Sequence, residues 1–340
     1  MVGDIVILSE FTDNVSSAGF ELLNLADKVE EEMLPYYVRD QYYPITIGEI
    51  VGSRYQLARD LRDQTFWALK VHINIIENNQ ELELFRHLAN TPMEEEFLHT
   101  AARPHGDYDV FVLPPMQKTL RDFRAALRDG IFQSLFVTQA LNQVLLGLCY
   151  LHVANMVHTD LHLGNLLIGL WDLSKMSIME ETELHTPSGA GGPPTICGFG
   201  RARVGGKHSG VAMPLQYRAP EVILGIEWGI PVDLWSVGLV TWDLLEKELL
   251  CDIYDTHSQD LNDTHHLAAM TALIGPPPSG FLKRSDRTAQ FWNKDGHWIG
   301  PIPLPLNKTL ESLAGTLNGE GKDIFRLYQA ITVVDSRRPN

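Results

Sequence analysis

Cysteine is scarce: Cys149, Cys197 and Cys251 are the only three, widely spaced and odd in number. No disulfide framework or CxxC zinc pair is expected, and a reducing compartment fits best. No uninterrupted apolar run reaches the ~18 residues of a membrane-spanning helix. The apolar patch in MVGDIVILSEFTDN is flanked by Asp4 and Glu10 with no basic region before it, so neither a signal peptide nor an Arg-rich transit peptide is expected. Positive charge is also in deficit. The 27 Lys and Arg face 43 Asp and Glu, a net charge of −16, which argues against direct nucleic-acid binding and leans towards basic partners. A Walker loop is missing too, because the Gly-Gly-Lys-His stretch ending at His208 lacks its spacing and hydroxyl.

What is present reads as a globular chain, 44% hydrophobic and 21% charged over 340 residues. Residues 1–28 show no clear period and are expected to be an extension. The stretch ITIGEIVGSRYQL reads as a short strand and turn, and TFWALKVHI as a strand of β-formers. NNQELELFRHLAN puts Leu82, Phe85 and Leu88 on one helical face, with Asn78 or Asn79 as N-cap. YDVFVLPPM is a buried strand halted by Pro114 and Pro115, and LFVTQALNQVLLGLCYLHVANM a long apolar helix fit for the centre of a helical region. TPSGAGGPP, at 186–194, is expected to be a loop, as is the Gly-rich stretch 205–210. Further helices are expected around 231–250, 260–274 and 322–332. Strands first and helices later predict an α+β chain with a small β-rich lobe joined to a larger α lobe.

Chemistry concentrates in His158-Thr159-Asp160-Leu161-His162-Leu163-Gly164-Asn165, directly after the long helix. An Asp and an Asn at D-x-x-x-x-N spacing suit phosphoryl transfer. The Asp can accept the proton of an attacking hydroxyl, and the Asn can offer an oxygen to Mg²⁺. Upstream lie Ala68-Leu69-Lys70 in a strand and Glu81 in the next helix. Downstream follow Gly198-Phe199-Gly200, then Tyr217-Arg218-Ala219-Pro220-Glu221, then Asp233-Leu234-Trp235-Ser236-Val237-Gly238.

This ordered set resembles the eukaryotic protein kinases. The HTD triplet and Tyr43-Pro44-Ile45-Thr46-Ile47-Gly48 ahead of Arg54-Tyr55 look like the SR-protein kinases, of fungal type. The resemblance implies a bilobal kinase fold over 29–340: N-lobe about 44–113, hinge 114–117, and a C-lobe 118–340 that stops short of the family's last helix. It implies a Ser/Thr kinase using ATP and Mg²⁺ on basic or Arg/Ser-rich proteins, in the cytoplasm or nucleus, away from membranes. By position, Asp160 would be the catalytic base, Asn165 a metal ligand, Lys70 the phosphate contact and Glu81 its partner. Leu113 would be the gatekeeper, and the Pro114 carbonyl and Met116 N–H would read adenine. Glu221 would pair with Arg338, and Asp233 would brace the catalytic loop. Thr159 stands where the family's Arg grips a phosphorylated activation loop, so switching of that kind is not expected.

Three departures bear on activity. RYQLARDLRDQTFWALK carries no GxGxxG, as though the Gly-rich hairpin had been cut out between Gln56 and Leu57. Gly198 replaces the Asp that would bridge Mg²⁺ to phosphate, a change expected to slow transfer on the order of 10²- to 10⁴-fold. His162 replaces a Lys that would help neutralise the γ-phosphate, and at neutral pH a His is charged only part of the time. Impaired transfer is therefore expected, with a kinase-shaped binding or scaffold protein as the alternative; Gly198→Asp should raise activity if metal loss is the main defect.

Overall fold

The computed structural model describes residues 37–43, 50–51, 55–56, 59–60, 65–72, 79–88, 98–103, 106–170, 191–251, 253–255, 261–306, 309, 312–313, 319 and 322–323. The extension 1–28, the expected helix at 322–332 beyond Asp323, and Arg338 lie outside them. The chain divides into two compact units, with boundaries after Gln117, Ile168 and Gly192.

In the first unit, β1 (Ile50–Val51), β2 (Tyr55–Gln56) and β3 (Arg59–Asp60) form an antiparallel meander. Gln56 pairs with Arg59, so only two residues separate the strands at the point where the sequence lacks a Gly-rich hairpin. A second sheet has the order β4 (Ala68–Val71), β6 (Gly106–Leu113), β5 (Leu98–Arg103). Its central strand β6 buries Val110, Phe111 and Val112 in succession, as a strand covered on both faces does. Leu69, Val110 and Val112 form a core backed by Tyr43, Trp67 and Val71. Pro114 follows directly after β6, where a missing N–H harms no ladder.

Helix α1 (Gln80–Leu88) begins at Asn79, whose Oδ1 accepts from the Leu82 N–H at 3.2 Å while its Nδ2 donates to Asp109 Oδ2 at 3.1 Å. Of the predicted apolar face, Leu82 is buried and Phe85 rests on Phe111 with ring centroids 5.4 Å apart. Leu84, also buried, was not among the residues singled out.

The second unit carries α2 (Leu120–Ala126), capped by Thr119, and α3 (Ser134–Val153). Val137, Ala140, Val144, Leu148 and Leu151 recur every three or four positions along α3 and are buried. Its opposite side leaves Leu135, Leu146, Tyr150 and Val153 exposed, so α3 is not the central helix expected. By length and composition α3 could cross a membrane, and in the structure it packs against α5. The centre belongs to α5 (Pro231–Leu245), preceded by α4 (Pro220–Ile223) and buried over most of its length. Its Ser236 and Thr241 hydroxyls donate to carbonyls one turn back, at 3.2 and 2.8 Å, which makes their burial tolerable. Helices α6 (Asn262–Ile274) and α7 (Ser279–Leu282) complete the unit, with Leu267 and Met270 meeting Phe291 and Trp292 in one cluster.

Two short ribbons frame the motif-bearing loop. Strand β7 (Met156–Val157) pairs with β10 (Arg203–Val204), and β8 (Leu166–Leu170) with β9 (Gly191–Ile196). The second corrects the sequence reading, because Gly191, Gly192, Pro193 and Pro194 are in a strand, not a loop. A Cβ at Gly192 would lie 2.9 Å from the Gly169 carbonyl carbon, so glycine permits the close approach of the two backbones. Prolines are tolerated at the edge of a sheet, where no ladder bond needs their N–H.

Candidate active site

Each unit positions its own set of side chains. In the first, alternation along β4 separates Lys70 from Leu69 and Val71, so it can turn away from the core they form. Its Nζ lies 2.6 Å from Glu81 Oε2 of α1, with both side chains buried. A buried charge pair of this closeness must be satisfied on both sides to persist. His72 adds a third member not foreseen from sequence: its Nε2 is 3.4 Å from the same Glu81 oxygen, within ion-pair range but outside hydrogen-bond geometry. Burial, then the Lys70 charge, holds the His72 imidazole below its usual pKa. Leu113 ends β6 opposite Ala68; Pro114 is exposed, Pro115 buried and Met116 half-buried in the coil that follows.

In the second unit, the loop after β7 is held from below by Asp233 at the start of α5. One carboxylate oxygen accepts from the His158 N–H at 2.8 Å and meets His152 Nε2 at 2.9 Å; the other accepts from the Thr159 N–H at 2.8 Å. Asp233 is fully buried, and these bonds are what make its burial tolerable. Thr159 adopts φ +64°, a left-handed conformation that costs a β-branched residue about 1–2 kcal/mol. Its hydroxyl donates to the Arg201 carbonyl at 2.8 Å and offsets part of that. His158 accepts from the Asp160 N–H through Nδ1 at 3.2 Å and faces the Cys197 carbonyl through Nε2 at 2.9 Å, which fixes its proton on Nε2.

This scaffold presents Asp160. Asn165, at the end of a 3₁₀ turn (Leu163–Asn165), donates through Nδ2 to the Asp160 carbonyl at 2.7 Å and to its carboxylate at 3.2 Å. Arg201 Nε lies 3.9 Å from the same carboxylate oxygen, and His162 Nε2 4.0 Å from the other. Burial pushes the Asp160 carboxyl above its ordinary pKa, against the pull of Arg201, His158 and the Asn165 hydrogen bond. The balance suits a group that must take up a proton.

His162 differs from the partly charged residue expected. Its Nδ1 accepts from the Gly164 N–H at 3.0 Å and meets Arg121 Nη2 at 3.1 Å. Burial, then Arg121, His158 and Arg201, lower it to about 4, so at neutral pH it adds no charge beside Asp160. Arg121 and Arg201 supply the positive charge instead. Neither was singled out beforehand: Arg121 lies on α2, far along the chain from the loop, and Arg201 merely follows the Gly-Phe-Gly motif. Close by, the Tyr217 ring lies 5.9 Å from His162, and its hydroxyl donates to the Asp243 carboxylate. Burial raises the pKa of both.

Gly198 has φ +77°. A Cβ there would fall 2.4 Å from Asn165 Cγ and Oδ1, so the Asn165 amide occupies the space a side chain at 198 would need. The donor set does not fit Mg²⁺. Among the described residues no group of three or more His, Cys, Asp or Glu converges; Gly198 offers no carboxylate to the Asn165 oxygen packed against it, and the nearby Asp160 carboxylate accepts from the Asn165 amide nitrogen. Gly198→Asp, expected from sequence to raise activity if metal loss is the main defect, would first have to displace Asn165. Glu221 lies in the first turn of α4, and the proposed partner Arg338 is outside the described residues.

Comparison with known proteins agrees with this geometry. The protein kinase domain family model matches residues 57–296. A serine/threonine protein kinase of Aspergillus fumigatus is 34% identical over 92% of this chain and 88% of its own length. The serine/threonine-protein kinase SRPK of Physarum polycephalum is 26% identical over 78% of each chain. The human dual specificity protein kinase CLK4 is 25% identical over 74% of this chain and 55% of its own. The crystal structure of a kinase domain superposes with a TM-score of 0.61 at 19% identity, covering 88% of this chain and 96% of that one.

Proposed function

The chain belongs to the protein kinase family, and from that premise we propose that it transfers the terminal phosphoryl group of ATP to serine or threonine hydroxyls of basic or Arg/Ser-rich proteins. The observation that carries this reading is the Asp160 carboxylate, buried, oriented by Asn165 and set on a loop that Asp233 braces through two backbone N–H groups. In the step, the substrate oxygen bonds to the γ-phosphorus as the bond from that phosphorus to the β-bridging oxygen breaks. The electron pair leaves with ADP, and the hydroxyl proton passes to Asp160. Lys70, kept in place by Glu81, would contact the nucleotide phosphates, and the Pro114 carbonyl and Met116 N–H would read adenine. The net charge of −16 supports a basic protein substrate.

The test is transfer of labelled γ-phosphate to an Arg/Ser-rich peptide by the full chain and by Asp160→Asn. Transfer that falls at least about 10²-fold in the variant supports the reading; transfer unaffected by the change removes Asp160 from its role. A second reading is favoured by Gly198 and the amide packed against it: a kinase-shaped binding protein without turnover. Nucleotide or peptide binding with no transfer by the unaltered chain would select it.

A further inference from the structure

The rim of Asp160 is built from donors. Since His162 Nδ1 accepts from the Gly164 N–H and faces the Arg121 guanidinium, it carries no proton, and the ring proton must be on Nε2. That Nε2–H meets Asn165 Nδ2 at 3.3 Å, but Asn165 Nδ2 is itself a donor, committed to Asp160. The nearer Asp160 oxygen is 4.0 Å away, beyond hydrogen-bond range. Two N–H groups therefore face each other with no acceptor between them. Turning the Asn165 amide over would give His162 an acceptor but break the 2.7 Å bond to the Asp160 carbonyl.

One arginine touches His162 and a second approaches Asp160. Arg121 lies directly on Gly164, where an added Cβ would be 2.9 Å from its Cζ, so glycine makes room for the guanidinium. Arg201 is more than half exposed and reaches Asp160 only at 3.9 Å, leaving donors of its planar fork free for a ligand. In a chain of net charge −16, this local excess of guanidinium and N–H donors calls for an anion.

We propose that Arg121, Arg201 and the His162 Nε2–H form a phosphate subsite beside Asp160, taking a terminal phosphate group without a metal ion. The proposal rests on the kinase reading for the phosphate's origin, which is either the γ-phosphate of ATP or a phosphorylated side chain on the protein substrate. The guanidinia hold the anion through charge-assisted bonds where a metal carboxylate at 198 is lacking.

Binding to the full chain in EDTA tests it by calorimetry with two matched pairs: ATP against ADP, and a phosphoserine peptide against its serine form. The expected result is that one pair is discriminated by about tenfold or more, and that Arg121→Gln and Arg201→Gln each reduce the preference to about threefold or less. Arg→Lys at either position should keep part of it, because charge remains while the fork is lost. Preference within the ATP pair assigns the subsite to the nucleotide; preference within the peptide pair assigns it to the substrate. Should Arg121→Gln fail to fold, Arg201→Gln, on an exposed side chain, decides alone. Failure to discriminate either pair, or a preference retained by Arg201→Gln or by a folded Arg121→Gln, overturns the proposal. A chain that binds ATP and ADP equally loses the nucleotide subsite but keeps the kinase reading. A chain that binds neither nucleotide yet prefers the phosphoserine peptide keeps the subsite and loses the ATP half of that reading.

Discussion

The two sides of the Asp160 loop differ in how completely their hydrogen bonds are met. Beneath it, the Asp233 carboxylate, the His158 ring and the Thr159 hydroxyl each have partners of opposite kind at 2.8–3.2 Å. On the open side, His162 and Asn165 turn donors towards one another at 3.3 Å, and the Asn165 amide fills the space above Gly198. The underside holds the loop's shape whatever occupies the site. The rim holds Gly198 and His162, the two positions read from sequence as departures from the kinase pattern.

The strongest way to break this contrast is to remove the brace. Asp233→Ala strands the His158 and Thr159 N–H groups in a buried place and should lower stability by about 3–5 kcal/mol, read as a shift in the denaturant midpoint. A loss under about 1 kcal/mol would mean the loop is held elsewhere.

The rim responds to a smaller change. Gly198→Ala combines φ +77° with overlap against Asn165 and should cost about 2–3 kcal/mol in thermal or chemical unfolding. If Asn165 can swing aside, the double variant Gly198→Ala/Asn165→Ala will be no more stable than Gly198→Ala alone.

Acid sharpens the comparison from a third position. His266 on α6 is fully buried with both ring nitrogens lacking a partner, unlike His158, and burial, aided by Arg218, lowers it to about 3. The folded chain thus requires the neutral ring, whereas the unfolded chain takes up a proton below its ordinary value of 6.5. This stability is present in full above that value and is lost as pH falls from it towards about 3. At pH 5 the loss from this group should be about 2 kcal/mol. His266→Leu should flatten that part of the stability–pH curve, and an unchanged slope would assign it to the carboxylates. Smallest of all, Thr159→Val keeps the shape at φ +64° but removes the bond to the Arg201 carbonyl, for about 1 kcal/mol.

Much of the frame was legible because it is written in local pattern. Leu113-Pro114-Pro115 marks the end of β6, and the long apolar run before the HTD motif marks α3. Motif order also picked out Lys70 and Glu81, which the fold brings to 2.6 Å, and Asp160, Asn165 and Asp233, which it joins through hydrogen bonds. Strand β9 was hidden because Gly-Gly-Pro-Pro signals a loop until a partner backbone approaches as closely as Gly169 does. The paired β2 and β3 were hidden because Leu57 and Ala58 carry none of the residues that announce a two-residue hairpin. Arg121 was hidden for another reason. Its contact with His162 spans 41 residues and depends on Gly164 having no side chain, which only the folded backbone reveals.

The short β2–β3 connection bears on what the chain could be made to do. Closing a loop costs free energy that grows only with the logarithm of its length, about 0.6 kcal/mol per doubling. Lengthening the link from two residues to about eight would therefore cost on the order of 1–1.5 kcal/mol, provided the Gln56–Arg59 pairing stays in register. The meander thus has an insertion point where a glycine-rich segment could be grafted for little entropy. An ATP lid and the phosphate rim could then be varied one at a time in the same chain.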